Sequence, residues 1–258
     1  MPKVKPKLIQ NIFEARYERG YRYLDRCGDV MVILEEALPS KSNNSVWMPE
    51  DMAPTGARMK CPDLELTLAF NAWRLCLDQN PAEAQCPFED VAKYAFDTVV
   101  SKFDISKITR FGNRQRYILA TDSVEQAEGL SVKKVAVQDG LKTPPDEMQL
   151  KSCDVSTVYE KADRSAGVRF SVTPVFRVGA PLAIDKRLTL PPHLLKERQR
   201  EALIGQLQRQ KQREKDPIAG LEIDVDYWWL NPEEGTLERF FQSSKKEIEG
   251  LLKSFVGT

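Results

Sequence analysis

Between residues 12 and 24 apolar and charged side chains alternate, with Phe13, Ala15, Tyr17, Tyr21 and Tyr23 on one side and Glu14, Arg16, Glu18 and Arg22 on the other. A two-residue period rich in aromatic side chains predicts a half-buried strand. The turn-forming stretch Arg26-Cys27-Gly28-Asp29 leads into a second apolar run over 30–34, which predicts a hairpin. Leu64, Leu66, Leu68 and Phe70 resume the alternation, so 64–77 reads as one long strand, bulged near Asn71. Further strands are expected over 107–120, 166–178 and 221–230, with shorter ones near 131–137 and 150–159. Thr143-Pro144-Pro145-Asp146 lies between those shorter strands as a turn.

Helical spacing replaces alternation after Pro87, where Phe88, Val91, Ala92, Ala95, Phe96, Val99, Val100 and Phe103 make one apolar stripe. Proline is tolerated at the first turn of such a helix. A closing helix after Thr236 sets Leu237, Phe240, Phe241, Ile248, Leu251, Leu252 and Phe255 on its buried side. A third helix, over 193–215, follows Pro191-Pro192 and stops at Asp216-Pro217, because the residue before proline avoids helical geometry. It is dominated by Lys196, Arg198, Arg200, Arg209, Lys211, Arg213 and Lys215, with a thin apolar line at Leu195, Leu203, Ile204 and Leu207. A helix this polar is expected to project from the body. Residues 39–62, punctuated by Pro39, Pro49, Pro54 and Pro62 around Trp47, are expected to form a long loop. Strands that follow one another without intervening helices imply an α+β class. The expected architecture is a largely antiparallel sheet with two or three packed helices, plus one projecting charged helix, in a single domain over 1–258.

The 258 residues are enough for one sizeable core. Lys+Arg and Asp+Glu both number 38, so no global charge draws the chain to nucleic acid or membrane, and electrostatic binding must come from a local patch. Five cysteines (Cys27, Cys61, Cys76, Cys86 and Cys153) at irregular spacing fit neither a disulfide framework nor a zinc site. They read as reduced thiols, which implies a cytoplasmic setting. No apolar run approaches the ~20 residues of a membrane helix, and no apolar leader follows the basic start. No membrane association is expected.

His193 is the only histidine, so any Ser-His-Asp or Cys-His mechanism must run through it, and no metal set can be built around it. Its place before a charged helix favours an ordinary surface side chain. Neither a G-x-x-x-x-G-K-[ST] nor a G-x-G-x-x-G loop is present, and no cofactor is expected. Two strands carry alternating charge: Arg110, Arg114 and Arg116 on one, and Glu222, Asp224 and Asp226 on the other. On a solvated face these are cross-strand ion pairs. Lining a concavity, they would instead bind phosphate and hold Mg²⁺. Trp228 and Trp229, adjacent on one strand, must face opposite ways.

Three stretches together, Ile108-Thr109-Arg110-Phe111-Gly112-Asn113-Arg114, the strand from Leu221 to Tyr227 and the helix from Leu237 to Phe255, carry a resemblance. They resemble a sporadically distributed prokaryotic family, a domain of unknown function of about 250 residues, within the range of one domain. Its members have a central I-x-R-I-G-L-R-Y strand, a D-x-D strand and a closing helix. Here Phe111 and Asn113 replace aliphatic residues, and the histidine usual in the last helix is absent. The resemblance implies one α+β domain and no particular activity.

Three functional readings follow. The first is a non-enzymatic adaptor in a bacterial multi-protein system, of the defence-associated kind, contacting a protein partner through Trp47, Arg200, Arg209, Arg213 and Trp228. The second is a sensor or enzyme for a phosphorylated ligand, using Arg110, Arg114 and Arg116 with Glu222, Asp224 and Asp226. The third is nucleic-acid binding along the basic helix 196–215, with affinity that falls steeply with salt.

Overall fold

The computed structural model describes residues 5–82, 85–133, 154–177, 184–213, 218–233 and 235–257. Its strands are β1 (Lys7–Tyr17), β2 (Met48–Ala53), β3 (Gly56–Cys61), β4 (Leu66–Phe70), β5 (Arg74–Gln79), β6 (Ile108–Thr121), β7 (Val155–Glu160), β8 (Ala166–Arg177) and β9 (Ile218–Leu230). Among the described residues the helices are α1 (Tyr23–Lys41), α2 (Phe88–Phe103), α3 (Val124–Ser131), α4 (Glu197–Arg213) and α5 (Leu237–Gly257). The strands form one nine-stranded sheet in the order β2-β3-β4-β5-β1-β6-β9-β8-β7. Every neighbouring pair is antiparallel. The fold is α+β, as the alternation of apolar residues predicted.

Alternate residues of the central strands build the core. Phe13 and Ala15 of β1, Phe111 of β6, and Leu221, Ile223 and Val225 of β9 are buried in one apolar cluster with side chains of α1, α2 and α5. Phe13 is its hub, with ring centroids of Phe96, Phe111, Phe240 and Phe241 at 6.5, 6.1, 6.4 and 5.1 Å. The residues between these positions point to the opposite, charged face, as the pleat requires.

Several local expectations are corrected. β1 ends at Tyr17, and the run expected as a second strand over 30–34 lies inside α1. Tyr23, Cys27, Val30, Met31, Leu34 and Leu38 are the buried positions of that helix, at spacings of one to four residues that follow its stripe. A short apolar run does not separate strand from helix by itself. Between β1 and α1 the chain turns at Arg19, with φ 60°, and Gly20, whose amide donates to the Ala72 carbonyl at 3.1 Å. A Cβ at Gly20 would lie 2.6 Å from that carbonyl oxygen, so no larger residue fits.

The long loop expected over 39–62 is the end of α1 followed by the β2–β3 hairpin. Pro49, Glu50 and Asp51 conceal the first of those strands in the sequence. The single strand expected over 64–77 is two, β4 and β5, with Asn71 Oδ1 accepting from the amides of Trp73 and Arg74 to form the turn. Residues 124–133 are helical, which overturns the start of the strand expected over 131–137, and 134–137 lie outside the described residues. The turn at Thr143–Asp146 and the stop at Asp216-Pro217 also lie outside the described residues.

Candidate functional site

The alternating charges of β6 and β9 meet on the sheet face opposite α1, α2 and α5. Arg116 Nε donates to Glu222 Oε1 at 2.7 Å, and its Nη1 donates to Gln10 Oε1 at 2.9 Å. Arg114 grips Asp224 with Nε and Nη2, the Nε bond being 2.9 Å. Arg110 reaches Asp226 at 3.1 Å and Glu14 at 3.3 Å. Arg16 and Arg74 also converge on Glu14, at 2.7 and 3.7 Å. In the register Arg114 stands opposite Asp226 and Arg116 opposite Asp224, so both arginines pair diagonally, one step along the strand. That reach is within a long side chain's range.

All six residues named from charge alternation are thus brought together, as a ladder of paired charges. The Arg114 guanidinium holds its proton more tightly still, chiefly through its hydrogen bonds to Asp224. Burial raises the Asp226 carboxyl despite the nearby Arg110 and Arg114. A phosphate ligand would have to displace these carboxylates from the arginines.

Trp228 lies on the same face and is buried. The ring covers Gly167, where a Cβ would fall 2.4 Å from it, and the Arg110 guanidinium sits 5.9 Å from the ring centroid. Trp229 points to the helix side and packs edge-on against Phe240 at 5.6 Å. Trp47, expected on a binding loop, lies in the core and donates through Nε1 to Ser42 Oγ at 2.9 Å. Neither Trp47 nor Trp228 presents a ring to a partner.

The expected projecting helix is docked instead. α4 buries Ala202, Leu203 and Gln206, and Leu203 joins Met48 and Leu195 in a small second cluster. The anchor is Glu65, a buried carboxylate on a residue in the left-handed region at φ 54°. Gln206 Nε2 donates to it at 2.6 Å, with Arg213 Nη1 at 3.3 Å and Arg209 Nε at 3.6 Å. Arg209 Nη2 also donates to the Pro62 carbonyl at 2.6 Å. Arg200 donates to the Leu190 carbonyl at 3.1 Å. The helix docks through its apolar strip, while Glu65 offsets part of the positive charge on its docked side. Arg200, Arg209 and Arg213 therefore serve internal contacts and do not form a row for a phosphate backbone.

The surface that stands out was not legible in the sequence. Tyr21 and Trp73 are 61% and 54% exposed, yet their rings meet edge-on at 5.6 Å. Leu24, next to them on α1, and Met52, at the β2–β3 turn, are exposed as well. The Tyr23 hydroxyl, donating to the Ala53 carbonyl, ties that turn to α1. Arg16, Arg19, Arg22 and Arg74, close to the aromatic pair along the chain, are exposed, with Arg16 and Arg74 paired to Glu14 and Arg22 to Asp104. Alternation placed Tyr21 on the inner side of a strand, which hid it.

Chemistry elsewhere is sparse. Burial raises the Cys27 thiol and pushes Cys61 and Cys76 up to about 12 and 11, so these sulfurs stay protonated at neutral pH. Among the described residues no three His, Cys, Asp or Glu side chains gather as a metal site. No described helix is long and apolar enough to cross a membrane. His193 is exposed on a 3-10 turn (Pro192–Leu194). An α2–α5 cleft of about 450 Å³, floored by Phe96, Val100, Ile108 and Leu237, carries Asp97 and Glu238 at its rim. No protein-family model matches this chain, and no curated protein matches it either.

Proposed function

We propose that this protein acts by binding another protein, as a non-enzymatic adaptor, through the end of the sheet that carries Tyr21, Leu24, Met52 and Trp73. The observation that carries the reading is the solvent-facing Tyr21–Trp73 pair within a group of arginines. Tyrosine, tryptophan and arginine are the residues most enriched where binding energy concentrates. Large rings held against each other lose little side-chain freedom on binding, so the surface is preorganised. Arg16 and Arg74 share Glu14, and Arg22 pairs with Asp104, so the aromatic pair is rimmed by mixed charge, the polar surround of an apolar contact.

The test is capture by the full-length protein from its host, run in parallel with a Tyr21→Ala/Trp73→Ala variant. A stoichiometric protein captured by the wild type and lost with the variant is expected. The same protein retained by the variant ends this reading. A nucleic acid recovered in its place, insensitive to both substitutions, would transfer the function elsewhere on the surface.

A further inference from the structure

The two edges of the sheet are built differently. An edge strand directs alternate backbone N–H and C=O groups outward, a template for another strand. At β2 that template is blocked: Pro49 lacks a donor, the register slips between Pro49 and Asp51, and Glu50 and Asp51 add charge. Arg187 Nη1 also donates to the Pro49 carbonyl at 3.0 Å. At the other edge, β7 is hydrogen-bonded to β8 alone among the described residues, in unbroken register from Val155 to Glu160. It contains no proline and no lysine, and Val155, Thr157, Val158 and Tyr159 are strong strand formers. Val158 and Tyr159 are 49% and 55% exposed. One edge carries a proline, a register slip and two carboxylates against further pairing, while the described residues of the other carry only the charge of Glu160.

We propose that β7 pairs antiparallel with β7 of a second copy of this chain, about a two-fold axis at Val158, joining two sheets into one. An axis perpendicular to the sheet keeps both helical layers on one side, so residues that face each other must belong to the same face. Centring on Val158 sets Val158 against Val158, Thr157 against Tyr159, Ser156 against Glu160 and Val155 against Lys161. No like charges meet. Centring on Thr157 would set Asp154 against Glu160, which like-charge repulsion disfavours. The contact is self-complementary, as a two-fold interface must be, and this favours a second copy over a foreign strand. One strand pair buries less than the ~1,200 Å² of a standard interface, so the dimer dissociates on dilution.

Sedimentation of the full chain over a range of concentrations tests this. The wild-type mass is expected to rise from 29.4 kDa toward twice that value. Val158→Lys, which opposes two ammonium groups at the axis, is expected to stay monomeric with an unchanged melting temperature. Cys153→Ser/Val158→Cys is expected to give a disulfide-linked dimer on mild oxidation, because facing Cα atoms lie within disulfide reach. A wild type that is monomeric throughout, or a dimer that survives Val158→Lys, overturns the proposal. A concentration-dependent dimer whose Cys153→Ser/Val158→Cys variant fails to cross-link overturns the register and with it the site.

Discussion

Phe13 touches the rings of Phe96, Phe111, Phe240 and Phe241, and so ties β1 to α2, β6 and α5 at one point. Phe13→Ala leaves a cavity at the centre of that group. The expected loss is about 3–5 kcal/mol, read as a lower denaturant midpoint with an unchanged slope. Gly167 is the converse case, since Trp228 occupies the space where a side chain would stand. Gly167→Ala is expected to cost about 1–3 kcal/mol through overpacking, and to shift the fluorescence of the displaced indole. Phe13 was legible, because its burial follows from alternation along one strand. Trp47 was not, because its burial depends on Ser42 and on a hairpin hidden among prolines.

At the scale of elements, α1 and α4 show what sequence reading misses. The turn into α1, Tyr21-Arg22-Tyr23, repeats the strand-like alternation of β1, and only the later spacing of Val30, Leu34 and Leu38 discloses the helix. α4 was legible as a helix, but its docking depends on Glu65, far away in the chain. Glu65→Ala would leave the buried Gln206 without its acceptor and Arg209 and Arg213 without their counter-charge, at a cost of about 1–3 kcal/mol. Faster hydrogen exchange across α4, with β1 and β6 unchanged, is the expected signature. The 3-10 turn Lys186–Thr189 adds a pH-sensitive contact. The Arg187 guanidinium, followed by its backbone amide and the nearby Lys60, holds the Asp185 carboxyl far below the usual carboxylate range. A depressed carboxyl stabilises the fold above its unfolded pKa, and that contribution disappears as acid protonates it. Below about pH 4 the wild type should therefore lose melting temperature more steeply than Asp185→Asn. On the open face, a double-mutant cycle on Arg114 and Asp224 should return only about 0.2–1 kcal/mol, because Arg114 is nearly half exposed.

For the whole molecule, the charged residues of β6 and β9 could be named from the sequence, but their meeting could not. That depends on β9 lying between β6 and β8, an order that no local pattern encodes. The strands β1, β6 and β9, of 11, 14 and 13 residues, hold the middle of the sheet. Amides at Phe13, Asn113 and Val225 are expected to exchange only through global unfolding, and those of α4 well before it; equal rates would show α4 to be part of the cooperative core. The same strand order bears on how the chain emerges from the ribosome. Residues 7–103 supply β1 to β5 with α1 and α2, a contiguous half of the sheet complete before β6 is synthesised. β6 then extends that half at β1, but the β7–β8 hairpin that follows has no strand to rest against until 218–230 has been made. A nascent chain paused before Ile218 thus carries a six-stranded sheet ending at β6 and an unattached hairpin, and must then admit its penultimate element between them.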